Sequence, residues 1–132
     1  MKMITVPISP GELLDKLTIL HLKMEKIIDV AKITNVEREL VALQHIADEA
    51  LPQSDALAVL VTDLQRHNAD LWEIEDNIRE LEATGDFGAG FIALARAVYI
   101  TNDQRAETKK KINLLLGSDL IEEKSYKGEG VA

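Results

Sequence analysis

The sequence predicts an all-α domain: a four-helix bundle-like arrangement of long antiparallel helices with a short extended N-terminal arm. Three observations carry that prediction. Aromatic residues are only 4% of the chain, with three prolines and seven glycines, which is the composition of packed helices rather than of a β-sandwich. Leu57, Leu60, Leu64, Leu71, Ile74, Ile78 and Leu81 recur at helical spacing and fall within one arc about 120° wide at 100° per residue. Ser9-Pro10-Gly11-Glu12 is a helix start, because the Ser9 hydroxyl can accept from the Glu12 amide and Pro10 sits where no amide is needed.

Taken in order, Ile4-Thr5-Val6 before Pro7 is a short β-favouring segment, expected as an arm laid against the helices. The first helix is expected from about Pro10 to Ala31, with Leu13, Leu14, Leu17, Leu20, Met24, Ile27 and Ile28 inward and His21 inside the same arc. Ile19 and Leu22 lie on its opposite side, so this helix must be covered twice. A second subunit is one such cover, and a homodimer through helix one is expected. Thr34-Asn35 caps a second helix running to about Leu51. Pro52-Gln53-Ser54-Asp55 ends that helix and caps a third, which stops near Thr84 with Gly85 as its cap. Gly85 to Gly90 turns the chain into a fourth helix from about Phe91 to Leu116. No strand precedes these glycines and no Gly-Lys-Ser/Thr follows, so backbone geometry explains them, not phosphate binding.

At 132 residues one domain spanning the whole chain is expected. Its tail, residues 118–132, should be partly mobile: the first half docks and the last five residues move. The formal net charge of -8 gives no attraction for a phosphate backbone, so no nucleic acid is expected as a partner. No apolar run reaches the roughly 20 residues needed to span a bilayer, and no signal peptide is evident. A cytoplasmic protein without a membrane partner is the expectation. With no cysteine, disulfides and thiolate chemistry are excluded.

Polar residues interrupt the apolar arcs. His67, Asn68 and Glu75 share the leucine face of helix three, and Asn102, Arg105 and Lys109 share the inner face of helix four. A carboxylate turned inward costs several kcal/mol unless paired, so Glu75 requires a cation, Arg79 being nearest in sequence. If helices three and four form a hairpin about Phe87, residues whose numbers sum to about 174 are level. Glu75 then meets Tyr99 and Asn102, Arg105 lies near His67, Asn68 and Asp70, and Lys109 approaches Asp63. The candidate ligand-binding network is therefore Glu75, Tyr99, Asn102 and Arg105, with Trp72, Asp76 and Lys16 around it. As a site it would hold an anionic ligand on Arg105, and as structure it would fix the helix register.

Three phrases are distinctive together: Pro7-Ile8-Ser9-Pro10-Gly11-Glu12-Leu13-Leu14-Asp15-Lys16, Leu71-Trp72-Glu73-Ile74-Glu75-Asp76, and Ala95-Arg96-Ala97-Val98-Tyr99-Ile100-Thr101-Asn102-Asp103-Gln104-Arg105. The combination resembles an uncharacterised family of small helical bacterial and phage proteins, a domain of unknown function. That resemblance covers nearly the whole chain and implies no activity. It directs attention to Glu12, Asp15, Lys16, Trp72, Glu75, Asp76, Tyr99, Asn102, Asp103 and Arg105.

No catalytic residue is assigned. The expected function is a non-catalytic binding or interaction module without a cofactor or metal site. The alternative is an all-α pyrophosphohydrolase-like enzyme acting on a phosphorylated small molecule or nucleotide. It would hold Mg2+ on Glu12-x-x-Asp15 and Glu73-x-x-Asp76. His21, His45 and His67 are scattered without a Glu-x-x-His pair, which argues against a zinc or di-iron bundle. His21 is expected as a hydrogen-bonded interior residue.

Overall fold

The computed structural model describes residues 1–127. Four helices follow in order: α1 (Pro10–Lys26), α2 (Val30–Ala50), α3 (Asp55–Thr84) and α4 (Ala89–Leu115). The domain is all-helical and bundle-like, as the composition and periodicity predict. No strand occurs among the described residues.

The caps are the ones the side chains dictate. Ser9 Oγ accepts from the Glu12 amide at 3.2 Å, and Ser54 Oγ accepts from the Leu57 amide at 3.1 Å. Gly85 closes α3 in the left-handed region at φ 72°, where a residue without Cβ is favoured. Asp86 then accepts from the Gly88 amide at 3.1 Å, turning the chain into α4.

The boundary between the first two helices departs from expectation. α1 ends at Lys26, five residues before Ala31, and α2 starts at Val30 with Asp29 in the cap position. Thr34 and Asn35 are inside α2, where the Thr34 hydroxyl donates to the Val30 carbonyl at 2.9 Å. The break falls at Ile27 and Ile28, whose β-branched side chains lose rotamer freedom in a helix. Ile27 accordingly adopts extended backbone. Nor does the arm lie on the helices: Ile4 is 79% exposed, and only its end, Pro7 to Ser9, lines a hollow shared with Leu120 and Ile121 of the tail.

α1 is central. It touches each of the other three helices, whereas α2 packs on α1 alone among the described residues. Leu13 and Leu17 face Ala47, Leu40 and Leu43 of α2. A second core joins Leu57 and Leu64 of α3 to Ile112 of α4, and Leu14 packs against both. With Leu17 at zero on the α1 wheel, Gly11, Asp15, Thr18, Ile19 and Leu22 occupy a second sector from about 100° to 200°. α3 and α4 bury Gly11, Asp15 and Thr18 of that sector. Ile19 and Leu22, the residues that suggested a partner subunit, stay half-buried beside α3.

His21 is exposed, contrary to the interior position expected of it. The Phe87 and Phe91 rings meet edge to face where α3 turns into α4, 5.2 Å between centroids. The last five residues, 128–132, to which the mobile tail was assigned, lie outside the described residues. No helix of the described residues is long and apolar enough to cross a membrane.

Candidate functional site

The site is built on a buried aspartate. Asp15 is 1% exposed, a position where a lone carboxylate would cost several kcal/mol. Two other helices donate hydrogen bonds to its carboxylate. Arg105 of α4 donates from Nε to Asp15 Oδ1 at 2.9 Å and from Nη2 to Oδ2, a two-pronged, charge-assisted contact. Asn68 of α3 donates from Nδ2 to Asp15 Oδ1 and to Thr18 Oγ1, both at 2.9 Å. Thr18 in turn donates to the Asp15 carbonyl at 2.8 Å. No buried side-chain polar atom among the described residues lacks a partner.

Burial pushes the Asp15 carboxyl upward, but the hydrogen bonds from Arg105 and Asn68 and the charges of Arg105 and Lys109 outweigh it, holding the group below its ordinary value of 3.8. The hydrogen bond to Asp15 likewise raises Arg105 above its usual value, against the opposing effect of burial.

A second ion cluster adjoins the first. Lys109 Nζ lies 2.7 Å from Glu12 Oε2, 3.0 Å from Glu122 Oε2 and 3.9 Å from Asp15 Oδ2. Burial lowers the Lys109 ammonium, yet Glu12 and Glu122 prevail and raise it. Below this cluster the Gly11 amide donates to Asn113 Oδ1 at 2.7 Å, and a Cβ on Gly11 would stand 2.5 Å from the Lys109 carbonyl oxygen. The start of α1 can approach α4 this closely only because residue 11 has no side chain.

Above Asp15 a cleft of about 470 Å³ opens between α1, α3 and α4. Its floor is Ile19 and Leu22 of α1 with Leu71 of α3, and its polar lining includes Asn68, Asn102 and Arg105. Trp72, Glu75, Asp76 and Arg79 complete the α3 side. Arg105 Nη1 also reaches Asn102 Oδ1 at 3.4 Å. A second hollow, about 450 Å³, shares Leu22, Trp72 and Asp76 with the cleft.

Among the residues singled out from the sequence, the cleft gathers Glu75, Asn102, Arg105, Trp72 and Asp76. It does not include Tyr99 or Lys16. Tyr99 is 55% exposed, because six residues leave it about 120° round α4 from Arg105. Lys16 follows Asp15 by one position, about 100° round α1, and pairs with Glu12 at 3.7 Å on the surface.

Glu75 meets the cation nearest to it in sequence, Arg79 at 3.3 Å, but with 47% of its side chain exposed and not turned into the core as expected. Two other pairings differ from expectation. Arg105 is taken by Asp15, which has no water to solvate it and needs the charge more. Lys109 pairs with Glu12 and Glu122, while Asp63 pairs with Arg66 at 3.3 Å instead. Levelling two helices ignored the third, α1, which supplies the stronger partners. Asp15 carried a legible signal all the same, since it shares the second sector of α1 with Ile19 and Leu22.

The carboxylates Glu12 and Asp15 are held by Lys109 and Arg105, and those positive charges oppose a divalent cation there. Among the described residues no three His, Asp or Glu side chains converge as a metal site. The arrangement suits recognition: an apolar floor, one indole and a few fixed polar groups.

No curated protein and no solved structure matches the chain. A family of unknown function (DUF6165) matches residues 3–130, and the chain belongs to that family.

Proposed function

We propose that the protein is a non-catalytic binding module and that the cleft around Trp72 is its binding surface. The observation that supports this most is the cleft's construction. Its volume is in the range of ligand sites, and its base is stiffened by a buried, fully hydrogen-bonded Asp15–Arg105 pair. The pair fixes the walls but does not advertise a free charge, because Asp15 neutralises Arg105. The cleft therefore offers no unopposed cation for an anionic ligand.

Amide mapping by NMR tests the proposal. Basic and acidic amphipathic peptides and nucleotides with Mg2+ would be titrated in turn. A binding module shifts the amides of Ile19, Trp72 and Asn102 with at least one of these probes. Shifts confined to other surfaces, or none with any probe, defeat the proposal. Stabilisation by nucleotide only when Mg2+ is present favours instead the metal-dependent enzyme.

A further inference from the structure

We infer that the groove along α1 and α3, on both sides of Trp72, docks a cationic amphipathic helix of a partner protein. The inference rests on the cleft being the binding surface and names its occupant. The cleft and the neighbouring hollow are continuous through Leu22, Trp72 and Asp76. Their α3 lining extends from Asn68 to Arg79, eleven helical rises or about 16 Å, the length of three helical turns.

Charge selects the partner. α3 carries eight Asp or Glu against two Arg, a formal net charge of -6 on a chain whose total is -8. Around the groove Asp70, Glu73 and Asp76 are exposed and form no ion pair among the described residues. Of the nearby cations, Arg105 is neutralised by Asp15 and Arg79 by Glu75. Lys26 is the remaining one on the lining. A Lys- or Arg-rich flank would meet carboxylates still lacking a counter-charge.

The walls select the shape. Both are helices, with their amides used internally, and offer no strand edge to an extended chain. A helical partner satisfies its own backbone and needs only an apolar stripe to set on Ile19, Leu22, Leu71 and Trp72. A half-buried tryptophan between two hollows is the residue type that anchors such contacts.

The test uses the full chain, whose single tryptophan is the reporter. The probe is a synthetic Leu/Lys amphipathic helix of about five turns, free of tryptophan, with a Leu/Glu peptide of the same pattern as control. The Leu/Lys peptide is expected to bind and shift Trp72 emission to the blue, and the Leu/Glu peptide to leave it unchanged. Glu73→Lys with Asp76→Lys, exposed positions whose fold is checked by circular dichroism, should weaken binding about tenfold or more. Trp72→Phe, followed by anisotropy of a labelled Leu/Lys peptide, checks the anchor independently and should also weaken binding. Equal binding of the two peptides, or affinity unchanged by the charge reversal, overturns the inference. So does sedimentation showing a self-associated chain that the reversal dissociates, because the occupant is then a second copy. If another probe shifts the cleft amides while the Leu/Lys peptide does not, the inference fails and the binding module stands. If no probe shifts them, both fail.

Discussion

Arg105 of α4 spans 90 residues of sequence to lay its guanidinium along the carboxylate of Asp15 in α1. Asn68 reaches the same carboxylate from α3, so a single buried charge sets the position of three helices. α2 takes no part in this node and rests on α1 through aliphatic contacts. The division predicts a domain whose α1, α3 and α4 hold together as a unit when α2 loosens.

Removing either partner of the Asp15–Arg105 pair leaves the other without its closest counter-charge. Asp15→Ala or Arg105→Met should each lower the unfolding free energy by about 3 to 5 kcal/mol in urea melts. Asp15→Ala combined with Arg105→Met should cost much less than the two single losses added together, because both charges are gone. Strict additivity would show that the contact contributes nothing as a pair.

The same node predicts pH dependence on the acid side. The folded Asp15 carboxyl titrates below its ordinary value of 3.8, so its contribution is fully present above that pH and is lost as pH falls through the folded value. At the other end, the raised Lys109 ammonium contributes fully below its ordinary 10.5 and loses that contribution as pH rises through the higher folded value. Thermal melts across pH should show both declines. Asp15→Asn should flatten the acid limb and Lys109→Met the alkaline one, each leaving the other limb in place. A limb that survives its own substitution assigns the titration to another group.

The length and caps of α3 were legible in the sequence because Ser54, Gly85 and the leucine periodicity act locally, and α4 runs within two residues of its expected bounds. The α1–α2 boundary was not, since Ile27-Ile28-Asp29 contains neither Gly nor Pro, and the β-branched pair at which the helix breaks weighs against a helix only slightly. Arg105 and Asn102 could be placed on an inner face from spacing alone. Which carboxylate Arg105 meets depends on how α1 lies across α3 and α4, and no periodicity encodes that crossing. Glu75 and Asp15 both sit one turn from apolar neighbours, but only Asp15 lies where three helices close over it.

At the crossing of α1 and α4, Gly11→Ala should destabilise the domain by about 1 to 3 kcal/mol. The added methyl would stand 2.5 Å from the Lys109 carbonyl oxygen and 2.9 Å from Asn113 Oδ1. Either α1 shifts away from α4 or the hydrogen bond from the Gly11 amide to Asn113 breaks. Hydrogen exchange of the Gly11 amide separates these effects from a general loss of stability. An Ala variant as stable as the wild type, with that amide still protected, would mean the helices can part without cost.

Glu75 provides the contrast to Asp15, although both are carboxylates paired with an arginine. The Glu75–Arg79 contact joins neighbouring turns of α3, and 47% of the glutamate side chain and 79% of the arginine side chain are exposed. Water already solvates both charges, and salt screens the remaining attraction, so an exposed pair one turn apart contributes only about 0.3 to 0.5 kcal/mol. Glu75→Ala should therefore lower the unfolding free energy by less than about 1 kcal/mol, and added salt should shrink the difference further. Urea melts at low and high ionic strength measure both quantities. A loss near 3 kcal/mol that persists in high salt would place Glu75 in a buried pair and contradict its exposed position on the cleft wall.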